Sequence, residues 1–133
     1  MTDNAAESER VVRAFFQAIN DIDFETFGTL IHPDIDFIMI GTTILSGTAK
    51  GKEEFMAVVG RVGEYCDGFI KLTIDKFIVA DDWVTVRSFG EATTVKGEPY
   101  NNTYLHLIRV EDGQLREFME YLDTEMITNV LVK

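Results

Sequence analysis

The chain is a 133-residue sequence with 46% hydrophobic residues, ten Phe and a formal net charge of −11, which excludes a disordered chain and disfavours nucleic acid and anionic membranes as partners, since both are bound through Lys and Arg. No apolar run approaches the ~20 residues that span a bilayer, and the opening MTDNAAESER is too polar and acidic for a signal peptide, so a cytoplasmic protein is expected. The single cysteine, Cys66, makes no internal disulfide, and neither His32 nor His106 has metal-ligand spacing to a nearby carboxylate, so no metal and no cofactor are expected.

From Glu7 to Asn20, helical spacing puts Val11, Val12, Phe15, Phe16 and Ile19 on one side, leaving residues 1–8 as a flexible start. Asp23 is placed to cap a second, short helix with Phe24, Phe27, Leu30 and Ile31 inward, closed before His32-Pro33. A strand follows over 35–40, then a Gly- and Thr-rich loop with room for one brief strand. A third helix is expected from Gly51 to about Cys66. Three long strands cover about 69–80, 83–95 and 100–110, with turn chemistry at Ala80-Asp82 and at Lys96-Pro99. A last strand runs 114–123, and Thr124 is a candidate cap for a closing helix through Leu131. There is no internal repeat or linker. Residues 1–133 read as one α+β domain, three N-terminal helices packed on one face of a mostly antiparallel sheet, with a short C-terminal helix.

The last two long strands, YNNTYLHLIRVEDGQLREFMEYLD, carry polar side chains among large apolar ones. Their register depends on the turn at Glu111-Gly113. A two-residue Asp-Gly loop puts Leu105 opposite Glu120. A three-residue loop puts Tyr104 opposite Glu120 and His106 opposite Phe118. Local chemistry accepts either.

The order of elements resembles the nuclear-transport-factor-two-like superfamily, a cone-shaped, cystatin-like α+β barrel that houses SnoaL-like cyclases, ketosteroid isomerases and limonene epoxide hydrolases. The residues that carry the resemblance are VVRAFFQAIN, DFETFGTLIHPDIDF, the GKEEF helix start and YLHLIRVEDGQLREFMEYLD, over about residues 9–131. In ketosteroid isomerases a helix tyrosine and a strand aspartate do the chemistry. Those positions fall on Phe15 and Met39, so that mechanism is not expected. In the epoxide hydrolases of this fold, the arginine of the catalytic set falls on Arg87 and the water-activating carboxylate on Glu120. The epoxide-protonating aspartate falls on Phe89, and the helping Tyr and Asn on Phe37 and Met39.

The resemblance favours the three-residue turn and one concave face holding Arg87, Phe89, Glu91, Asn102, Tyr104, His106, Phe118, Glu120 and Leu122, closed over by Phe37, Met39 and helix residues such as Phe15 or Phe16. Glu120 is the first candidate acid or base, since a carboxylate in an apolar pocket becomes a usable proton carrier near neutrality. The bland alternative is an ion pair with Arg87 that bridges two strands. His106 is either a proton shuttle or a satisfied strand residue. Asn102 and Tyr104 are ligand hydrogen-bonding groups or simple strand polar residues, and Glu91 is a second carboxylate or an exposed strand end. Gly47–Lys52 lacks both the spacing and the hydroxyl of a phosphate loop.

The opposite face, with Val84, Val86, Leu105, Leu107, Met119 and Tyr121, would be wet in a monomer, so a homodimer through the convex sheet face is expected. Two functions remain open: acid–base chemistry on a small lipophilic molecule (isomerase, cyclase or hydrolase type), or a non-catalytic ligand-binding or assembly module of the same fold.

Overall fold

The computed structural model describes residues 2–133. Helix α1 (Asp3–Asn20) begins at Asp3, within the segment expected to be flexible, because the Thr2 hydroxyl accepts the Ala5 N–H at 3.0 Å and caps the first turn. It buries Val11, Val12, Phe15, Phe16 and Ala18. Its last side chain, Asn20, both donates to the carbonyl of Leu72 (2.7 Å) and accepts that residue's N–H (2.8 Å), which pins the helix end to the sheet. Asp23 caps α2 (Phe24–Thr29) as expected, accepting from the Thr26 N–H.

Strand β1 (Ile31–Met39) starts four residues earlier than the sequence pattern implied. His32 and Pro33 lie inside it, where the register against its neighbour shifts between Ile31 and Asp36, and an irregularity is where a strand tolerates a proline that cannot donate. Strand β2 (Gly47–Lys50) folds back on β1, and α3 (Lys52–Gly63) follows, ending short of Cys66. Then come β3 (Lys71–Ala80), β4 (Trp83–Glu91), β5 (Thr103–Glu111) and β6 (Gln114–Leu122). Residues 92–102, expected to extend two strands, form a connection held by isolated bridges, Cys66 with Thr94 and Thr93 with Pro99. The short closing helix α4 (Thr124–Met126), which passes into a π-helical turn (Ile127–Leu131), is capped by Asp123 rather than Thr124.

The six strands form one sheet in the order β2-β1-β6-β5-β4-β3, antiparallel throughout except where β1 runs parallel to β6. Helix α1 lies against β3, β4, β5 and β6, and α3 against β1 and β2, so the core forms between the helices and one face of the sheet. This is the expected α+β architecture. Among the described residues no helix is long and apolar enough to cross a membrane.

The faces of β4 are reversed from the sequence reading. Val84 and Val86 point into the core and are 0% exposed, while Arg87, Phe89 and Glu91 point outward. The outer face does carry Leu105 and Tyr121, as expected, and adds Ile78 and Phe89, all exposed.

Candidate active site

The β5–β6 turn has two residues. Asp112 (φ 55°) and Gly113 (φ 73°) both take the left-handed conformation of a type I′ hairpin, so Glu111 pairs with Gln114 and Val110 with Leu115. The ladder then shifts by one residue, because Arg109 pairs with Glu117 and Arg116 has no partner in β5. Arg116 turns instead to β1, donating to the Asp34 carbonyl (2.7 Å) and the Asp36 carboxylate (3.0 Å). This bulge sets the site. It places His106 opposite Glu120, Tyr104 opposite Leu122 and Ile108 opposite Phe118, which corrects the pairing expected from a three-residue turn. The polar side chains of the hairpin do look inward, through a bulge rather than a longer turn.

Between helices and sheet lies a cavity of about 450 Å³. Its wall includes Phe15, Phe37, Met39 and Phe118, together with Tyr104, His106 and Glu120, all expected there. Phe16, the other expected helix residue, lies there too, together with Phe27, Phe55 and Cys66; apolar periodicity marked Phe27 and Phe55 as core without showing that they face a void. The Glu120 side chain is 15% exposed and that of His106 is 5% exposed. The imidazole is held between the Phe118 ring (centroids 4.8 Å apart, 25° between planes) and the Tyr104 ring (5.7 Å, 8°), with Phe16 edge-on at 5.7 Å. Nε2 lies 3.9 Å from a Glu120 carboxylate oxygen, too long for a direct hydrogen bond. Nδ1 is buried with no partner, and the carboxylate 3.9 Å from Nε2 favours the tautomer that carries its proton there.

Burial pushes the Tyr104 phenol well above its ordinary pKa, and the neighbouring Tyr100 and Glu120 add to the effect, so Tyr104 stays a protonated donor. Tyr100 is raised for the same first reason. Burial also raises the Cys66 thiol, which keeps it from acting as a thiolate. The Tyr104 ring depends on Gly90: a Cβ there would stand 2.8 Å from Tyr104 Cε2 and 3.0 Å from Ile70 Cγ2. The sequence signal for Gly90 was a glycine inside a strand, which marks a close approach.

Five expected site residues lie elsewhere. Arg87 sits on the outer face, with an ion pair to Asp75 at 3.2 Å and its guanidinium 5.2 Å from the Phe89 ring centroid, so it neither touches nor compensates Glu120. Phe89 and Glu91 share that exposed face, and buried Ser88 and Gly90 take the inward positions. Asn102 is buried, but all its hydrogen-bonding capacity is spent on the fold. It donates to the Tyr100 hydroxyl (2.9 Å) and the Asp123 carbonyl (3.0 Å), and accepts from the N–H groups of Thr103 (2.8 Å) and Asp123 (3.1 Å). It braces the site rather than facing it. Leu122 is half-buried and packs on the core away from the cavity wall.

The fold also brings His32 within 3.6 Å of Glu111 and 3.9 Å of Asp112, a meeting the sequence spacing did not reveal. His32 Nδ1 accepts the Asp34 N–H (3.0 Å), so Nε2 carries the proton, and Glu111 is already paired with Arg109 and Arg116. The group is an ion-pair network at the hairpin end, not a prepared metal site.

A curved sheet, helices over its inner face and an aromatic cavity with a carboxylate in its wall define a cone-shaped α+β domain built around a small-molecule-sized void. The chain belongs to the family of SnoaL-like domains, whose sequence model matches residues 12–118. No curated protein is similar enough in sequence to match. Among solved structures, an NTF2-like protein of unknown function from Burkholderia pseudomallei superposes with a TM-score of 0.86 at 22% identity, over 96% of this chain and 98% of the other. TerC, co-crystallised with polyporic acid, superposes at 0.84 and 22% identity, over 96% and 99%. An LEH-like epoxide hydrolase from M. tuberculosis superposes at 0.77 and 16% identity, over 96% and 91%.

Proposed function

We propose that the protein binds a small lipophilic molecule in the aromatic cavity and performs cofactor-independent acid–base chemistry on it, of an isomerase, cyclase or hydrolase type. The observation that carries this reading is the Glu120 carboxylate facing an apolar void beside the Nε2–H of His106, with a 3.9 Å gap between them. A substrate atom or water seated in the cavity beside the pair, rather than between its members, can reach both at about 2.8 Å. Glu120 takes or gives the proton, His106 donates from Nε2 to oxygen on the substrate, and the rings of Phe15, Phe37 and Phe118 hold the apolar body.

TerC, co-crystallised with polyporic acid, and the epoxide hydrolase support the reading as neighbours of the same fold. The chemistry differs from the Asp-Arg-Asp set of epoxide hydrolases, because Glu120 alone remains in the cavity. The experiment is turnover of a bound lipophile by wild type and by Glu120→Gln. The variant should still bind a neutral lipophile and leave it unchanged; equal turnover by both would remove Glu120 from the mechanism.

The outer face favours a second element of the proposal. Ile78, Leu105 and Tyr121 stand exposed on a sheet face that no helix covers, which suits self-association of two copies through their sheets. Leu105→Glu should convert a dimer to a monomer in light scattering. A wild-type monomer at micromolar concentration would count against it.

A further inference from the structure

We propose that the occupant of the cavity is a lipophilic amine: an apolar ring system carrying one protonated nitrogen, with the ring among the phenylalanines and the N–H group on Glu120. This rests on the reading that the cavity takes a ligand, and it names which chemistry that ligand presents.

Charge is the first argument. Among the described residues, Glu120 is the single acidic group on the cavity wall, and no Lys or Arg lines it. Arg87, the cation expected beside Glu120, is on the far side of the sheet with Asp75. No donor among the described residues hydrogen-bonds the Glu120 carboxylate. His106 Nε2 stops at 3.9 Å, and the Tyr104 hydroxyl makes no hydrogen bond to the carboxylate. A carboxylate so placed has lost much of its water without gaining a partner, so an ammonium group gives it what the protein does not. A neutral lipophile would bury it uncompensated, and an anion would meet it as a like charge.

The wall chemistry is the second argument. Eight of the ten Phe line the cavity, and Tyr104 adds a ninth aromatic ring. Aromatic faces carry negative potential and attract a cation, most strongly where water is excluded. The net charge of −11 extends the same preference to the chain as a whole, since it attracts cations and repels anions.

The test uses one ring system with three head groups: 2-naphthylmethylamine, 2-naphthalenemethanol and 2-naphthoic acid, titrated into the full chain by calorimetry at neutral pH. The proposal predicts the amine to bind at least roughly tenfold more tightly than the alcohol, with the acid weakest. Glu120→Gln should erase the advantage of the amine and leave the alcohol within about threefold of its wild-type affinity. Equal or tighter binding of the alcohol or the acid by wild type overturns the amine proposal while the cavity reading stands, and that comparison needs no variant. Binding by none of the three overturns both. An amine preference that survives Glu120→Gln also overturns it, because the charge recognised would then lie elsewhere.

Discussion

His106 and Glu120 are direct cross-strand partners on β5 and β6, with Nε2 3.9 Å from the nearer carboxylate oxygen and no hydrogen bond between them. The pair exists because Arg116 is an extra residue in β6. Without that bulge the two-residue turn would put Leu105 opposite Glu120 and rotate the carboxylate out of the cavity.

An unpartnered carboxylate in an aromatic wall is a cost to folding that function can explain. Glu120→Gln, or the volume-matched Glu120→Met, is therefore expected to raise stability by about 1 kcal/mol, a few degrees in Tm at this chain length. Urea denaturation checks this, and a loss of stability would mean that Glu120 is held by an interaction the fold needs.

Asn102 makes the opposite prediction. Its side chain joins the start of β5 to both backbone groups of Asp123 and to the Tyr100 hydroxyl. Asn102→Ala leaves several buried polar groups without partners, and should cost about 2–4 kcal/mol in chemical denaturation. Asn102→Asp should be at least as damaging, because an acceptor would then face the Asp123 carbonyl.

Gly90 tests the packing of the site. An alanine Cβ there meets the Tyr104 ring and Ile70, so Gly90→Ala should destabilise by about 1–3 kcal/mol and move Tyr104 off its 8° stack on His106. Ring-current shifts of the His106 protons report that movement directly. Unchanged shifts would mean that the strand gives way in place of the ring.

The pH profile follows from Tyr104, Tyr100 and Asp36. Below about pH 10 both tyrosines are protonated folded or unfolded, and above it the unfolded chain releases protons that the native cavity retains, so stability falls as pH rises. Tyr104→Phe should flatten that alkaline loss. At the acid end, Lys50 and then Arg116 hold Asp36 below the usual carboxylate range. Its contribution is present above the unfolded value and is lost as pH falls through the folded one. Urea midpoints measured across pH display both limbs.

Much of this was legible in the sequence. The apolar stripe of α1 followed from the 3.6-residue period, and the inward face of Tyr104, His106 and Phe118 from the family resemblance, since alternation alone fits either face of the hairpin. Two things were not. Both parities of β4 hold apolar groups, and Val84, Val86, Ser88 and Gly90 point inward because the rings of β5 need small neighbours, a condition that only the assembled sheet sets. Analogy with a catalytic arginine drew Arg87 inward, whereas Asp75, the extra residue of a bulge in β3, waited for it on the outer face. The bulge at Arg116 leaves no local signature either. Its cause is the long-range contact with Asp34 and Asp36, some eighty residues away.

The most direct test of the central claim, that this cavity is a ligand site, is a thermal-shift screen against neutral and amine-bearing lipophiles: terpene alcohols and epoxides, steroids, polycyclic ketones and arylalkylamines. A ligand at a hundred times its dissociation constant should stabilise by roughly 2.7 kcal/mol, on the order of 10 °C for a chain of this length. The account predicts at least one such shift, abolished by filling the void with Val59→Trp. A flat response across the panel would contradict it.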